Sequence, residues 1–305
     1  MPLSESSGDK VQTIGCVGLG IMGAPMAGNL LQAGYEVLVY NRTPDKCRPL
    51  VEQGATQVKR PTDLAARRPD VICINVTETE DVEEVLFGET GIASGAKRGL
   101  IVVDHSTISP AATQRFSERL DEMGVTLIDA PVSGGDTGAK NATLSIMVGG
   151  PEEAVTRVWP MLETLGNQVT HLGPVGAGQA CKACNQIAVA CNLAGACEAL
   201  ALAKQTGLDM DKMLEVVGAG AGGSWQLSNL GPKIAHGDYE PGFMIDLVLK
   251  DLGIVSDTAR QHQLSLAATD AAENYFRAAA ARGFGQKGTQ AMAKALEALG
   301  AFDDR

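Results

Sequence analysis

Apolar residues fall along this chain in two rhythms. From Val11 to Leu172 they come in short runs, each cut off by glycine or by small polar residues. From Gly178 onward they recur at helical spacing. The short runs read as buried strands over 11–18, 36–40, 70–75, 100–104, 126–129, 144–148 and 168–172. Helical stretches lie between them, one from Ala24 to a C-capping Gly34 and another with an acidic start over 78–85. Such alternation predicts an open parallel sheet flanked by helices. The second rhythm predicts helices alone, over 178–205, 209–217, 224–236, 244–262, 266–281 and 286–299.

Composition narrows the class. The 305 residues are enough for two domains with sizeable cores. A hydrophobic content of 45% and a charged content of 20% are ordinary for a soluble globular protein. No apolar run reaches the ~18 residues of a membrane helix, so no membrane association is expected. The net charge of −11 argues against nucleic acid and against an anionic membrane surface. It leaves room for an anionic small substrate, because a local group of Lys and Arg overrides the net sign. Seven cysteines, with Cys16, Cys73, Cys191 and Cys197 in apolar runs, read as reduced, buried thiols of a cytoplasmic protein. Cys181 and Cys184 form a C-x-x-C with no second pair and no nearby histidine, so no metal site is expected. The polar, acidic segment 1–9 reads as a disordered leader.

The first strand runs into Gly18-Leu19-Gly20-Ile21-Met22-Gly23, and a helix and second strand follow. Strand, G-x-G-x-x-G, helix and strand within ~30 residues is the context of a dinucleotide site. The first glycine makes the turn, the second admits the pyrophosphate, and the third lets helix and strand pack. The expected fold is therefore an α/β Rossmann domain over 10–174, followed by an all-α C-terminal domain over 175–305. A long inter-domain helix, 175–205, joins the two. The second strand ends in Asn41-Arg42-Thr43 rather than in the acid that binds a ribose 2′-hydroxyl. These residues suit a 2′-phosphate, so NADP(H) is expected over NAD(H), with NAD(H) possible; the bland alternative is that Arg42 is a solvated turn residue. The carboxyl ends of the strands bring Val76, Thr77, Ser106, Thr107 and Ser133-Gly134-Gly135 toward one crevice. The last three offer a hydroxyl and backbone N–H groups to a carboxylate. His105 has no acidic residue to orient it, and His171, His236 and His262 stand alone.

One stretch of the long helix stands out. Lys182 and Gln186 are four residues apart and Asn185 lies beside them, which gives a proton carrier next to two amides. Lys250, in the run Phe243 to Leu252, interrupts an apolar face. Taken alone, either lysine reads more readily as a solvated side chain. Gly218 to Ser224 is a glycine-rich hinge that either brings Trp225 toward the crevice or simply connects two helices.

Four segments together resemble the signatures of the β-hydroxyacid dehydrogenases: Gly18 to Leu30, Asp129-Ala-Pro-Val-Ser-Gly-Gly135, Gly176 to Gln186, and Lys250-Asp251-Leu252. The resemblance implies that Lys182 is catalytic and that Asn185 or Gln186 assists. It implies that Ser133, Gly134 and Gly135 hold the substrate carboxylate and that Thr107 lines the nicotinamide and substrate site. Lys250 is implied to close the site, touching cofactor and substrate. A homodimer or homotetramer is also implied. Asn185-Gln186 resembles the tartronate semialdehyde reductases, while Gly288-Thr289-Gln290-Ala291 departs from their Asp-x-Ser-Ala segment. The expected reaction is NADPH-dependent reversible reduction of a small carboxylated aldehyde to its hydroxy acid, with Lys182 carrying the proton. Reverse chemistry near neutral pH favours a depressed lysine pKa. The alternatives are a 3-hydroxyisobutyrate or 4-hydroxybutyrate enzyme, an imine reductase, and a non-catalytic NADP(H)-binding partner protein; Lys182 counts against the last two.

Overall fold

A computed structural model describes residues 11–298. The leader expected over 1–9 lies outside the described residues, as does the end of the helix expected over 286–299. The chain divides into two compact units, with the boundary between Lys182 and Ala183.

In the first unit the elements are β1 (Thr13–Val17), α1 (Gly23–Gln32), β2 (Glu36–Tyr40), α2 (Arg48–Glu52), β3 (Thr56–Gln57), α3 (Pro61–Ala66), β4 (Val71–Ile74), α4 (Thr79–Phe87), α5 (Ile92–Gly95), β5 (Ile101–Asp104), α6 (Pro110–Asp121), β6 (Thr126–Asp129), β7 (Val132–Ser133), α7 (Gly135–Lys140), β8 (Ser145–Gly149), α8 (Glu152–Glu163) and β9 (Gln168–Gly173). The sheet runs β3-β2-β1-β4-β5-β6-β8-β7, with β9 paired to β8. From β3 to β6 every pairing is parallel. Here the sheet departs from the all-parallel one expected: β8 is antiparallel to β6 and β7. The turn of the chain through α7 returns it in the opposite sense, which an apolar run cannot announce.

Alternation along the strands builds two cores. Cys16, Val37, Val39 and Cys73 face one side, with Met26 and Leu30 of α1. Val17, Leu38, Ile72 and Ile74 face the other, with Phe116 of α6. Because both faces are covered, β4 and β5 are buried at every residue, and so they read as unbroken apolar runs.

Helix α9 (Ala177–Gln205) begins in the first unit and continues into the second. Its 29 residues include an 18-residue window of mean hydropathy 1.5, long and apolar enough to cross a membrane. This corrects the expectation that no segment reaches that length: Ala, Cys, Leu and Gly outweigh its scattered polar residues. Those polar residues are informative, because Gln179, Lys182 and Gln186 are buried and hydrogen-bonded.

The second unit adds α10 (Met210–Ala219), α11 (Trp225–Ala235), α12 (Ile245–Gln261), α13 (Ala267–Ala279) and α14 (Ala293–Ala298). Leu193, Cys197 and Leu200 of α9 pack in its core with Val248, Leu252 and Phe276. The single helix expected over 286–299 is instead a 3-10 turn, Thr289–Met292, followed by α14. The chain there is tied elsewhere: Thr289 N–H donates to Phe243 O, and the Gln290 side-chain Nε2 donates to Asp238 O and Glu240 O. Cys191 is half-buried rather than buried.

Candidate active site

The glycine turn between β1 and α1 is sterically specified. Gly18 has φ +88°, and a Cβ there would meet the Asn75 carbonyl oxygen. A Cβ on Gly23 would meet the carbonyl oxygen of Gly18. A Cβ on Gly20 would meet nothing within 4 Å, so this position faces open space. Leu19 is buried, Ile21 is exposed, and Met22 precedes α1 without a side-chain cap. Ala24 N–H already donates to Gly20 O at 3.1 Å and Pro25 carries no N–H, so what α1 offers an anion is the positive end of its dipole behind the glycine turn. This cradle fits a dinucleotide pyrophosphate.

Asn41 fastens the turn. Its Oδ1 accepts from Leu19 N–H at 2.8 Å, and its Nδ2 donates to Thr43 O at 3.0 Å. The side chain expected to reach a ribose phosphate therefore first holds the end of β2 to the glycine loop. Arg42 is 88% exposed and lies 3.5 Å from Asp81. Thr43 is exposed.

Three loops follow the strands at the same edge. Val76 N–H donates to Ser106 Oγ at 3.0 Å, which ties the loops after β4 and β5; Thr77 is exposed beyond it. Gln179, 1% exposed on α9, grips the second loop at both ends. Its Nε2 donates to Ser106 O at 2.7 Å, and its Oε1 accepts from Ile108 N–H at 3.1 Å, with half-buried Thr107 between them. Asp129, at the end of β6, accepts from Gly176 N–H at 2.7 Å and Gln179 N–H at 2.8 Å. A buried carboxylate thus caps the start of α9. Burial pushes the Asp129 carboxyl up to about 6, against the backbone N–H groups that hold it down.

The same anchoring sets Lys182, which is 7% exposed. Its Nζ donates to Val132 O at 2.9 Å. That carbonyl immediately precedes Ser133, Gly134 and Gly135, where β7 gives way to α7. Gly134 has φ +134° and Gly135 has φ +63°, and no side chain caps α7. The loop therefore presents its backbone beside the Lys182 ammonium. His105 lies apart from this chemistry. Its Nδ1–H donates to Ala130 O at 2.8 Å, and Nε2 is buried under the glycine turn without a partner among the described residues. Burial lowers its pKa to about 4, so the ring is neutral.

In the second unit a chain of bonds links the remaining expected residues. Asn185 Nδ2 donates to Gln186 Oε1 at 2.8 Å, Gln186 Nε2 donates to Asp251 Oδ2 at 2.6 Å, and Asp251 Oδ1 pairs with Lys250 Nζ at 2.8 Å. Asp251 is 4% exposed. Trp225 is exposed at the start of α11, while Phe243 packs partly buried on the core. Asp129, Gln179 and Asp251 were not singled out from the sequence. Each stood inside a signature segment as a polar residue among small or apolar ones, and that was the available signal.

Residues 13–173 match the NAD binding domain of 6-phosphogluconate dehydrogenase. Residues 176–296 match the family described as NAD-binding of NADP-dependent 3-hydroxyisobutyrate dehydrogenase. The chain is 40% identical over 286 residues to 2-hydroxy-3-oxopropionate reductase of Escherichia coli, covering 94% of this chain and 97% of that one. It is 35% identical over 292 residues to 2-(hydroxymethyl)glutarate dehydrogenase of Eubacterium barkeri, covering 95% and 97%. A crystal structure of 3-hydroxyisobutyrate dehydrogenase from Salmonella typhimurium superposes with a TM-score of 0.84 at 34% identity, covering 93% and 99%. The fold, the glycine cradle and these matches define a nicotinamide-dependent oxidoreductase. The chain belongs to the β-hydroxyacid dehydrogenase family. Its activity is that of an NAD(P)-dependent hydroxyacid dehydrogenase or semialdehyde reductase.

Proposed function

We propose that this enzyme reduces a small carboxylate-bearing aldehyde of the tartronate semialdehyde type to its hydroxy acid, with NADP(H) preferred over NAD(H). The observation that carries the reading is the 2.9 Å bond from Lys182 Nζ to Val132 O, which sets an ammonium beside the Ser133–Gly135 loop. When bound, the nicotinamide would supply hydride chemistry at the carbonyl carbon. Lys182, as ammonium, gives a proton to the oxygen that becomes the hydroxyl; in oxidation the neutral amine takes that proton back. The Ser133 hydroxyl and the N–H groups around Gly134 and Gly135 hold the substrate carboxylate, as backbone concavities hold anions. Within the second unit Asp251 fixes Lys250 through a 2.8 Å ion pair. Neutral Asn41 and exposed Arg42 favour the 2′-phosphate, since no carboxylate ends β2.

The test follows oxidation of NADPH and NADH side by side with tartronate semialdehyde, succinic semialdehyde, methylmalonate semialdehyde, sulfolactaldehyde and glyoxylate. The expected result is the highest kcat/KM for tartronate semialdehyde with NADPH. A higher value for another aldehyde overturns the substrate, and equal or better use of NADH overturns the cofactor preference.

A further inference from the structure

The edge of the sheet opposite the glycine turn carries a recess of about 500 Å3. Arg68 and Asp70 line it from the segment that enters β4, Lys97 and Arg98 from the segment that enters β5, and Arg157 from α8. In a doubly wound sheet the reaction crevice lies at the strand carboxyl ends, so this recess is at the wrong edge for it. Strands of four or five residues separate the two edges by roughly 15 Å.

Its charge is one-sided. Four lining side chains are cationic and one is anionic, a surplus of three in a chain whose net charge is −11. The carboxylate is already committed. Asp70 Oδ2 accepts from Gln12 N–H at 2.9 Å and Thr13 N–H at 3.0 Å, which fastens the start of β1. Its Oδ1 lies 3.5 Å from a terminal nitrogen of Arg157. The Nε of Arg157 is buried and has no hydrogen-bond partner in the described structure. Arg68, Lys97 and Arg98 are exposed and enter no ion pair among the described residues. Converging cations repel one another, and guanidinium forks match phosphate oxygens. An anion in the recess relieves that repulsion.

We propose that this recess binds a small phosphate-bearing dianion, independently of the cofactor. Three surplus charges are enough to neutralise a dianion. The volume exceeds that of a free phosphate, so a compact phosphorylated metabolite fits. A nucleic acid does not, because the acidic chain around the recess offers no continuous basic track.

Inorganic phosphate is the probe. Calorimetry and thermal melting use protein saturated with NADP+, so that phosphate sites of the glycine turn are filled, and sodium chloride holds ionic strength constant. Expected are a saturable single-site isotherm and a rise in Tm that chloride alone does not give. The double variant Arg68→Gln/Arg98→Gln, at two exposed positions, weakens phosphate binding about tenfold or more while NADP+ affinity stays unchanged. Lys97→Gln alone gives a second reading, a loss of roughly threefold, should the double variant melt abnormally. Chloride matching phosphate, or variants that bind phosphate like the wild type, overturns the proposal.

Discussion

The two edges of the sheet in the first unit are built from different materials. At the carboxyl edge the groups that matter are fixed. Asn41 holds Leu19, Ser106 holds Val76, Gln179 holds 106 and 108, and Asp129 holds the start of α9, mostly through side chains that are buried or nearly so. At the amino edge, exposed Arg and Lys side chains surround a recess with one committed carboxylate. Fixed donors in a dry surround act strongly and at one geometry; mobile surface charges act weakly, together, and subject to salt. Single substitutions at the carboxyl edge are therefore expected to have large and specific effects, and single substitutions at the amino edge small and graded ones.

The largest effect is expected at Lys182. Lys182→Ala removes the proposed proton carrier and leaves the glycine turn intact, so kcat should fall about 10²- to 10⁴-fold while NADP+ affinity stays within about twofold. Steady-state kinetics and cofactor titration check it. Turnover at the wild-type rate would end the assignment of Lys182 and remove the main contrast between the edges.

The fixed edge also sets a pH dependence, and there two buried groups oppose each other. Asp129 titrates at about 6 when folded, above its ordinary 3.8. Folding takes up a proton between those values, so this contribution is full below about pH 4 and is lost as pH rises through about 6. His105 titrates at about 4 when folded, below its ordinary 6.5. Its contribution is present above pH 6.5 and is lost as pH falls toward about 4. Each shift corresponds to something on the order of 3 kcal/mol, and in the same window they cancel. Asp129→Asn should expose the histidine, making the unit more acid-labile than wild type by about that amount between pH 7 and 4.5. His105→Gln should do the reverse. Urea unfolding followed through Trp159 of α8, in a Trp225→Phe background, reads this for the first unit. Slopes in both variants equal to the wild type's would mean the two groups are not buried as described.

Parts of this site were legible because the residue type alone was forced. Gly18 and Gly23 tolerate no side chain, so the turn stands out in sequence. Lys182 and its amides stand out because helical spacing groups them. Other parts were not legible, because a residue's type does not name its partner. Asp129 reads as any strand-terminal acid until Gly176 and Gln179 are seen donating to it. Asn41 reads as a cofactor ligand, but its bonds to Leu19 and Thr43 are not named by its type. In the fold, α2, β3 and α3 escaped notice because two- to six-residue elements show no period. The reversal at β8 escaped because apolar runs carry no direction. The buried polar residues of α9 hid how apolar the helix is as a whole.

Arg42 sits at the carboxyl edge yet is built like the amino edge, exposed and loosely paired at 3.5 Å. It therefore sharpens the comparison: its effect should be intermediate and dependent on salt. Arg42→Asp places a carboxylate against the 2′-phosphate and should lower the preference for NADPH over NADH by about tenfold or more, less so in high salt. An unchanged ratio of kcat/KM values for the two cofactors would show that Arg42 is a solvated turn residue.

The smallest effect on stability is expected at Gly20, and it separates binding from folding at the fixed edge. A Cβ at Gly20 meets nothing within 4 Å in the protein. Gly20→Ala should therefore leave urea stability within about 1 kcal/mol of wild type, the range of ordinary Gly-to-Ala backbone effects. If the glycine turn is the cofactor cradle proposed above, the pyrophosphate approaches the backbone in that open space, and cofactor affinity should fall even as stability holds. Gly23→Ala is the control, because its Cβ would collide with the Gly18 carbonyl and must disturb the fold. If Gly20→Ala binds NADP+ like the wild type, the open position does not face the cofactor, and the glycine turn loses its reading as the cradle.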